Sequence, residues 1–429
     1  MRRGWAVLFG LLLLIAVAHI AWTASVQSEF EARLDAIRAA GEPIDPSELN
    51  HDPVPPSLDA APLLRRVAAR LEGDPNPAES SWFELIDGEP VEESELAACR
   101  EWLARTEPLF AWIEEAAAKP AWDPGVDWRD GVNASIDWIP SIQAAMNYLR
   151  WRAYFAESPE QATECATVLF DLARKTNRAS GISCLVRWVG EGLACEILER
   201  CARKFGTVAP LGDRLAVAED PDAVRDALLG ERAVCVTLIL EWARGETNPI
   251  LVLQGVSGGF DEQGSAVLDF LATSPFCRPL AYGDGVRALA MFDDALQLHE
   301  LSPWEALEQA EGLDERHNHG IPWIFSTLWR VLPARLAAER CRHLATLRVT
   351  DAGLAVLAWR NERGDWPATL ADVGEWIDPF TGDPLQYTIE EDGSVRIEAQ
   401  WWLPFADDEE KIEFDRSIGQ DIAWILEAR

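Results

Sequence analysis

Residues 255–259 form the pattern Gly-x-Ser-x-Gly, with Ser257 at its centre. In α/β-hydrolases this pattern places a serine nucleophile on a strained turn between a strand and a helix, and a later histidine serves as its base. Four histidines follow it in the chain: His299, His317, His319 and His343. Such an elbow needs a parallel sheet, whereas the surrounding sequence has helical periodicity. We therefore favour a glycine-rich loop and keep an envelope hydrolase using Ser257 as the alternative.

A second group that could do chemistry is His317-Asn318-His319, preceded by Asp314 and Glu315. Two imidazoles and a carboxylate could bind zinc or another divalent metal. No Cys-x-x-Cys or His-Glu-x-x-His pattern accompanies them, and short His-x-His pairs are common in polar loops. We assign no metal site and no cofactor.

Acidic residues are adjacent at 407–410 and at Asp293-Asp294. The first run has the oxygen donors of a calcium loop but lacks the spacing and the glycine of an EF-hand. The second pair diverges on a helix because neighbouring residues do not share a helical face. We interpret both as surface charge and commit to no catalytic residue.

The charge balance narrows the class of partner. The chain has 429 residues, with 72 acidic and 38 basic side chains and a formal net charge of -34. Binding to DNA or RNA depends on clustered Lys and Arg that release counterions, so we expect no nucleic-acid partner. With 48% apolar residues and 20 Trp the chain should fold, and the Trp side chains are expected mainly in cores.

Residues 5–22 form an almost unbroken apolar run behind Arg2 and Arg3. Eighteen helical residues span roughly 27 Å, which is close to the thickness of a bilayer hydrocarbon core. The basic residues on the N-terminal side place the N-terminus in the cytoplasm and the rest outside, in the periplasm. Trp5 and Trp22 bracket the run as interfacial residues do. We therefore predict a single-pass anchor in the cell membrane over residues 1–25.

A cleaved signal peptide is the alternative, with a cut near Ala24 or Ser25. Trp22 and His19 stand where small residues are preferred, and residues 26–40 continue as an amphipathic helix. We favour the retained anchor. The eight cysteines of an exported chain favour one or two disulfides of unassigned pairing, although Cys99 and Cys201 lie on apolar helical faces, as buried thiols do.

The remainder is predicted to be mainly α, an irregular helical array. We divide it into a juxtamembrane helix and linker or wrapping segment (26–57), a helical domain (58–345) and a C-terminal module (346–429). Apolar residues recur at helical spacing, and no fixed-length repeat is present, which leaves a solenoid undemonstrated. One predicted apolar stripe comprises Ile182, Val186, Val189, Leu193, Ile197 and Cys201. Ser158-Pro159, Ser302-Pro303 and Asp220-Pro221 mark helix starts.

The tail has turn and strand signals. Thr369 to Trp376 has the pattern of a short helix, and residues 378–382 (DPFTG) have turn chemistry. Two alternating runs, 385–390 and 394–399, flank Asp392-Gly393, which is a strong signal for a hairpin turn. The sequence therefore predicts a small C-terminal β-hairpin module.

Residues 360–387 (RNERGDWPATLADVGEWIDPFTGDPLQY) resemble the end of a group of uncharacterised, membrane-anchored helical proteins of bacteria. Residues 37–49 (IRAAGEPIDPSEL) and 227–233 (ALLGERA) resemble pieces of the same group, and the tail is distantly similar to type II secretion pseudopilins. The resemblance implies export, a helical body and a closing hairpin. The Gly-Phe-x-x-x-Glu processing site of pseudopilins is missing before the apolar run, which speaks against a pilus subunit.

From these features we expect a non-enzymatic interaction or scaffold protein of the cell envelope. It would be tethered by residues 5–22 and bind a protein partner outside the membrane. An envelope hydrolase centred on Ser257 and an accessory component of a secretion system are the alternatives. The oligomeric state is not indicated.

Overall fold

The computed structural model describes residues 2–78, 91–176, 179–218, 220, 222–247, 274–317, 332–400 and 422–427. The fold is mainly helical, with an apolar N-terminal helix and a small C-terminal sheet, as predicted. The first helices are α1 (Arg2–Ala39), α2 (Ala61–Glu72), α3 (Glu93–Thr106), α4 (Pro108–Ala118), α5 (Ile139–Tyr154) and α6 (Pro159–Ala173). They are followed by α7 (Gly181–Phe205), α8 (Arg214–Ala218), α9 (Asp222–Arg244), α10 (Arg278–His299), α11 (Pro303–His317) and α12 (Leu332–Arg363). The strands are β1 (Gln386–Ile389), β2 (Val395–Glu398) and β3 (Ala423–Leu426).

The three predicted helix starts are confirmed by their caps. The Ser158 hydroxyl accepts the Gln161 N–H at the start of α6, and the Asp220 carboxylate accepts the Asp222 N–H at the start of α9. At α11 the Glu305 carboxylate accepts the backbone N–H of Ser302. Each bond satisfies a donor that the first turn of the helix leaves without an internal acceptor.

The larger of the two main apolar cores lies between α2 to α7, α12 and the C-terminal sheet. Large aromatic side chains fill it. Trp151, Tyr148 and Phe170 are fully buried, and the Tyr148 hydroxyl donates to the Thr106 carbonyl. Trp102 is also buried, in line with the expectation that Trp side chains lie mainly in cores, and its indole N–H donates to the Asp74 carbonyl at 2.7 Å.

The second core lies between α7, α9, α10 and the C-terminal half of α1. Phe30 is 0% exposed and Leu34 and Ile37 are buried beside it. The Phe30 ring packs on Gly285 of α10 so closely that a Cβ there would lie 2.5 Å from the ring. Arg33 of α1 also pairs with Asp293 of α10 at 3.1 Å. These contacts make α1 a part of the folded body.

The N-terminal half of α1 is apolar and exposed. One helix among the described residues is long and apolar enough to cross a membrane, and it is this one, with a mean hydropathy of 2.0 over its most apolar window and none of that window buried. The same helix continues without interruption into the second core. The predicted boundary at residue 25 therefore lies inside α1, and the boundary at 345 lies inside α12; the division into domains stays a prediction.

Residues 41–57 lie along the surface of the helical body and contact it. Asp45 and Glu48 form a capping box around a 3₁₀ turn, Pro46–Leu49. The Asn50 side chain accepts the Trp128 N–H at 2.9 Å. Of the two predicted readings of this segment, linker or wrapping segment, the contacts match the second.

The predicted hairpin is confirmed. β1 and β2 pair antiparallel in the register Tyr387 opposite Ile397, and Gly393 takes the positive φ of 81° that the turn requires. A third strand, β3, pairs with β2 and was not predicted. In the Asp-Pro-Phe-Thr-Gly turn, the buried Asp378 carboxylate accepts N–H groups from Phe380 and Gln400. That motif therefore closes the tail and has a structural role.

All eight cysteines are thiols, so the predicted disulfides are wrong for this structure. Seven of the eight are buried, mostly on the apolar faces of helices. Burial raises the pKa of Cys341 to about 12 and of Cys201 to about 11. They fill the helix interfaces as small hydrophobic side chains.

Candidate binding groove

The residues singled out for chemistry do not come together in the described structure. Ser257, His319 and the acidic run 407–410 lie outside the described residues, and His317 is the last residue of α11. His299 ends α10, where burial lowers its pKa. Within the described ranges no group of three or more His, Cys, Asp or Glu side chains could hold a metal ion.

Helix α7 is oriented differently from the prediction in its first half. The predicted apolar stripe would bury Ile182 and Val189, yet Ile182 is exposed and Val189 is 59% exposed. The opposite face, which is buried, carries the charged residues Arg187 and Glu191. The exposed apolar residues Ile182, Leu185 and Val189, spaced by three and four positions, are called here the α7 stripe.

The buried charges of α7 have partners on other elements. Arg187 donates to Glu191 at 3.0 Å and to Asp220, in the loop before α9, at 2.7 Å. The second carboxylate oxygen of Glu191 lies 3.0 Å from Nε2 of His343 on α12. The Trp188 ring stacks on the His343 ring, with centroids 5.5 Å apart and planes 20° from parallel. The two carboxylate partners of Arg187 reduce the cost of burying this face, whereas Glu191 Oε2 and His343 Nε2 are close without the geometry of a hydrogen bond.

A groove of about 340 Å³ lies between α7, α12 and β3. Its apolar lining comes from α7, α12 and the C-terminal strand region, and includes Val189, Leu193, Val349 and Trp424. Trp424 packs on Gly353 of α12, where a Cβ would lie 2.5 Å from the indole ring. The α7 stripe forms one edge of this groove through Leu185 and Val189, so the exposed apolar residues and the concave surface are continuous.

The charged groups Glu196 and Arg342 of the groove are partly buried. Glu196 pairs with Arg200 at 3.1 Å, yet burial raises the pKa of its carboxyl group above the ordinary value. Burial likewise lowers the pKa of Arg342. Burial raises the pKa of Cys195 to about 12, so this thiol stays protonated near neutral pH.

The described residues of the groove can be compared with the needs of catalysis and of binding. A carboxylate behind an imidazole can orient a general base, but a base also needs a nucleophile or an acidic proton to act on. Among the described lining residues, burial keeps the Cys195 thiol protonated, the Thr346 hydroxyl donates to the Arg342 carbonyl, and the Thr350 hydroxyl is hydrogen-bonded with Cys195. A concave surface that combines exposed apolar side chains, here Leu185 and Val189, with polar groups such as Glu199 and Arg342 is a candidate docking site.

Sequence reasoning missed Arg187, Glu191, His343 and Trp424 as parts of one site. Arg187 and Glu191 are four residues apart, which also describes an ordinary surface pair. The feature that marks the site is the exposed side chain of Val189 beside them. That exposure is known only from the structure, so the sequence alone could not have revealed the site.

Two of the three segments on which the predicted resemblance rests, residues 37–49 and 227–233, are in contact with each other. Glu42, from residues 37–49, pairs with Arg232, from residues 227–233, at 2.8 Å. Glu231 accepts the Gly181 N–H at the start of α7. Gly230 lies so close to the Ala179 carbonyl that a Cβ would come within 1.8 Å of its oxygen. These residues hold α1, α7 and α9 together, so their role is structural.

In comparisons with known proteins, no family model, curated protein or solved structure matches this chain. The groove, the helical fold and the apolar N-terminal helix are therefore the observations on which a function must be argued.

Proposed function

We propose that this chain is a non-enzymatic interaction protein of the cell envelope, anchored by the first part of α1. Its helical body lies outside the cytoplasm and offers the groove between α7 and α12 to a protein partner. The observation that carries the proposal is the α7 stripe, whose apolar side chains face outward while charged residues of the same helix are buried.

Exposing the α7 stripe opposes the usual arrangement of an amphipathic helix. Val189 is 59% exposed and Ile182 and Leu185 each more than a third, whereas Arg187 and Glu191 are 2% and 0% exposed. A helix normally gains stability by turning its apolar face inward. The loss at α7 is offset by the buried network to Asp220 and His343, and the apolar face stays available to a partner.

The chemistry of the groove favours an apolar, helical or extended protein segment. Leu185 and Val189 are its exposed apolar side chains and Leu193 is half-buried beside them, whereas Trp188 and Trp424 are only 9% and 1% exposed. Glu196 and Glu199 lie at its edge, and each already pairs with an arginine four residues on. The exposed side chains of the α7 stripe are therefore expected to supply the apolar part of the affinity.

Attachment to the membrane follows from α1. The exposed apolar stretch matches a bilayer in length and is followed in the same helix by Phe30, Leu34 and Ile37 in the second core. Removal of the stretch by cleavage near Ala24 would have to cut a continuous helix. Arg2 and Arg3 before the stretch favour the cytoplasm for the N-terminus.

Localisation is tested with the full-length chain expressed in a bacterial cell. The proposal expects the intact protein in the membrane fraction, resistant to carbonate extraction. Protease added to spheroplasts should degrade the helical body. Intact chain in the soluble fraction, or a body protected from the protease, contradicts the proposal.

Partner binding is tested by photo-crosslinking in intact cells. The photoreactive residue p-benzoylphenylalanine is placed at Val189, and a matched chain carries it at Ile389, which is 46% exposed on β1. A discrete protein adduct at position 189 that is missing at position 389 supports the groove as a docking site. Secretion subunits in that adduct would place the protein in a secretion assembly. Identical adduct patterns at both positions, or none at position 189, refute the groove.

A further inference from the structure

We propose that Phe276, in the turn that leads into α10, is a second membrane contact that inserts into the lipid interface beside α1. The inference rests on the membrane-spanning role of α1 proposed above. It adds a second attachment point, formed by residues far from the anchor in the sequence.

Phe276 is 70% exposed, the highest exposed fraction among the large apolar residues described outside the first part of α1. It lies in the 3₁₀ turn Pro275–Cys277. Its ring contacts the His19 ring, with centroids 5.2 Å apart. His19 belongs to the apolar run and precedes Trp22 by three residues, or about 4.5 Å along the helix. Phe276 therefore lies at the level where the apolar run approaches its outer end.

The course of α10 supports this position. Along α1, His19 meets Phe276, Phe30 meets Gly285 and Arg33 meets Asp293. Both helices therefore run in the same direction, and the N-terminal end of α10 faces the membrane. Arg278, the first residue of α10, is exposed two positions after Phe276. An aromatic side chain followed by an arginine is typical of an interfacial segment, with the ring at the acyl boundary and the guanidinium among the headgroups.

The backbone of the turn also fits a lipid interface. The Phe276 N–H donates to the Ser274 hydroxyl at 3.3 Å, and the Cys277 N–H donates to the Ser274 carbonyl at 2.9 Å. Polar backbone groups near hydrocarbon are costly unless they are bonded internally. With these two donors satisfied, the turn can approach the bilayer without leaving them unpaired.

Lipid is the occupant that the position favours. A transmembrane α1 is surrounded by lipid up to Trp22, so a ring in contact with His19 lies in the same layer. The net charge of -34 argues against strong attraction of the body to anionic lipid, so the contact should depend on apolar insertion and persist in zwitterionic lipid. Two contacts, one through α1 and one through Phe276, would prevent the body from rotating about the α1 axis.

The test uses the full-length chain in phosphatidylcholine nanodiscs, with p-benzoylphenylalanine at one of three positions. Ile15 lies within the apolar run and reports on the span itself, Phe276 reports on the second contact, and Ile389 is the exposed control on β1. After irradiation, lipid adducts are measured by mass spectrometry. The proposal expects a lipid adduct at position 276 in a yield comparable with position 15, and none at position 389.

The outcomes separate the two proposals. A lipid adduct at position 15 without one at position 276 overturns the second contact and leaves the span. The absence of an adduct at position 15 overturns both. A crosslinked dimer at position 276 in place of a lipid adduct assigns the turn to a protein interface and also overturns the inference, as does an equal lipid yield at position 389.

Discussion

The carboxylate of Glu42 lies 2.8 Å from Arg232 and 2.8 Å from Arg225, so one acid just beyond α1 binds two bases of α9. Arg232 is 1% exposed, so water cannot stabilise its charge, and the Glu42 carboxylate does so instead. The pair joins segments that are 190 residues apart in the chain. It attaches the end of the N-terminal helix to the second core.

Replacing Glu42 by alanine should lower the free energy of unfolding by about 3 kcal/mol, because a buried guanidinium loses its partner. Chemical denaturation in detergent measures the change. The control is Glu246→Ala, which removes the exposed pair with Arg244 and should cost at most about 1 kcal/mol. An equally small cost for both variants would show that Arg232 does not depend on Glu42.

Gly230→Ala should destabilise the protein by about 1–3 kcal/mol, because the new Cβ would lie 1.8 Å from the Ala179 carbonyl oxygen and force α7 and α9 apart. Gly312→Ala in α11 is the matched control, since nothing lies within 4 Å of its Cβ position. There alanine should stabilise the helix by roughly 0.5–1 kcal/mol. Thermal unfolding of both variants checks the opposite signs, and the same sign in both would contradict the close packing.

Glu196→Gln should stabilise the protein at neutral pH and have little effect near pH 4. Burial raises the pKa of this carboxyl group in the folded state, so its ionisation above the folded pKa favours unfolding. Below about pH 4.3, the pKa of this carboxyl group in the unfolded chain, the raised pKa contributes its full stabilisation. That stabilisation is lost as the pH rises through the pKa of the group in the folded protein. Denaturation curves from pH 4 to pH 8 would show the gain of the variant growing with pH. A pH-independent difference would rule out this origin.

Val189→Asp should leave the stability within about 0.5 kcal/mol of the parent and abolish partner binding, because the side chain is 59% exposed at the edge of the groove. Binding is read from the protein adduct of a photoreactive residue at the neighbouring position Leu185. The conservative Val189→Leu variant should keep the adduct. Retention of the adduct in Val189→Asp would exclude the α7 stripe as the docking surface.

Protein purified without reductant should give eight thiols per chain after denaturation, because all the cysteines of the structure are thiols. In the folded state, modification should begin at Cys277, which is more exposed than the seven buried cysteines. Addition of dithiothreitol should leave the melting temperature unchanged. Fewer than eight thiols, or a lower melting temperature with dithiothreitol, would indicate disulfides after all.

Much of the fold could be predicted from local patterns. Ser158 and Ser302 mark helix starts through short-range hydrogen bonds, and Asp392-Gly393 marks the hairpin through the positive φ of its glycine. These signals depend on neighbours a few residues apart, which a sequence displays directly. Strand β3 was missed because it is paired with a distant strand and is only four residues long.

The groove could not be predicted for a related reason. The orientation of α7 depends on the partners of Arg187 and Glu191, which are Asp220 and His343 in distant parts of the chain. Apolar periodicity alone predicts that Val189 is buried, because it counts only the apolar residues of the helix. It does not show that Arg187 and Glu191 have distant partners that allow them to be buried. Tertiary contacts of this kind decide which face of a helix is exposed.

In the proposed membrane-anchored protein, the unbroken course of α1 would determine how the body is held relative to the bilayer. From Trp22 to Ala39 the helix extends about 25 Å at 1.5 Å per residue, and its far end is fixed in the second core. Because this helix is packed into the body from Phe30 onwards, it would keep the proposed docking surface at a constant height and tilt, so an encounter with another membrane-bound protein would be a search in two dimensions. Partners whose own surfaces stand at a matching height would meet the groove at a high effective concentration, and those that stand lower or higher would miss it.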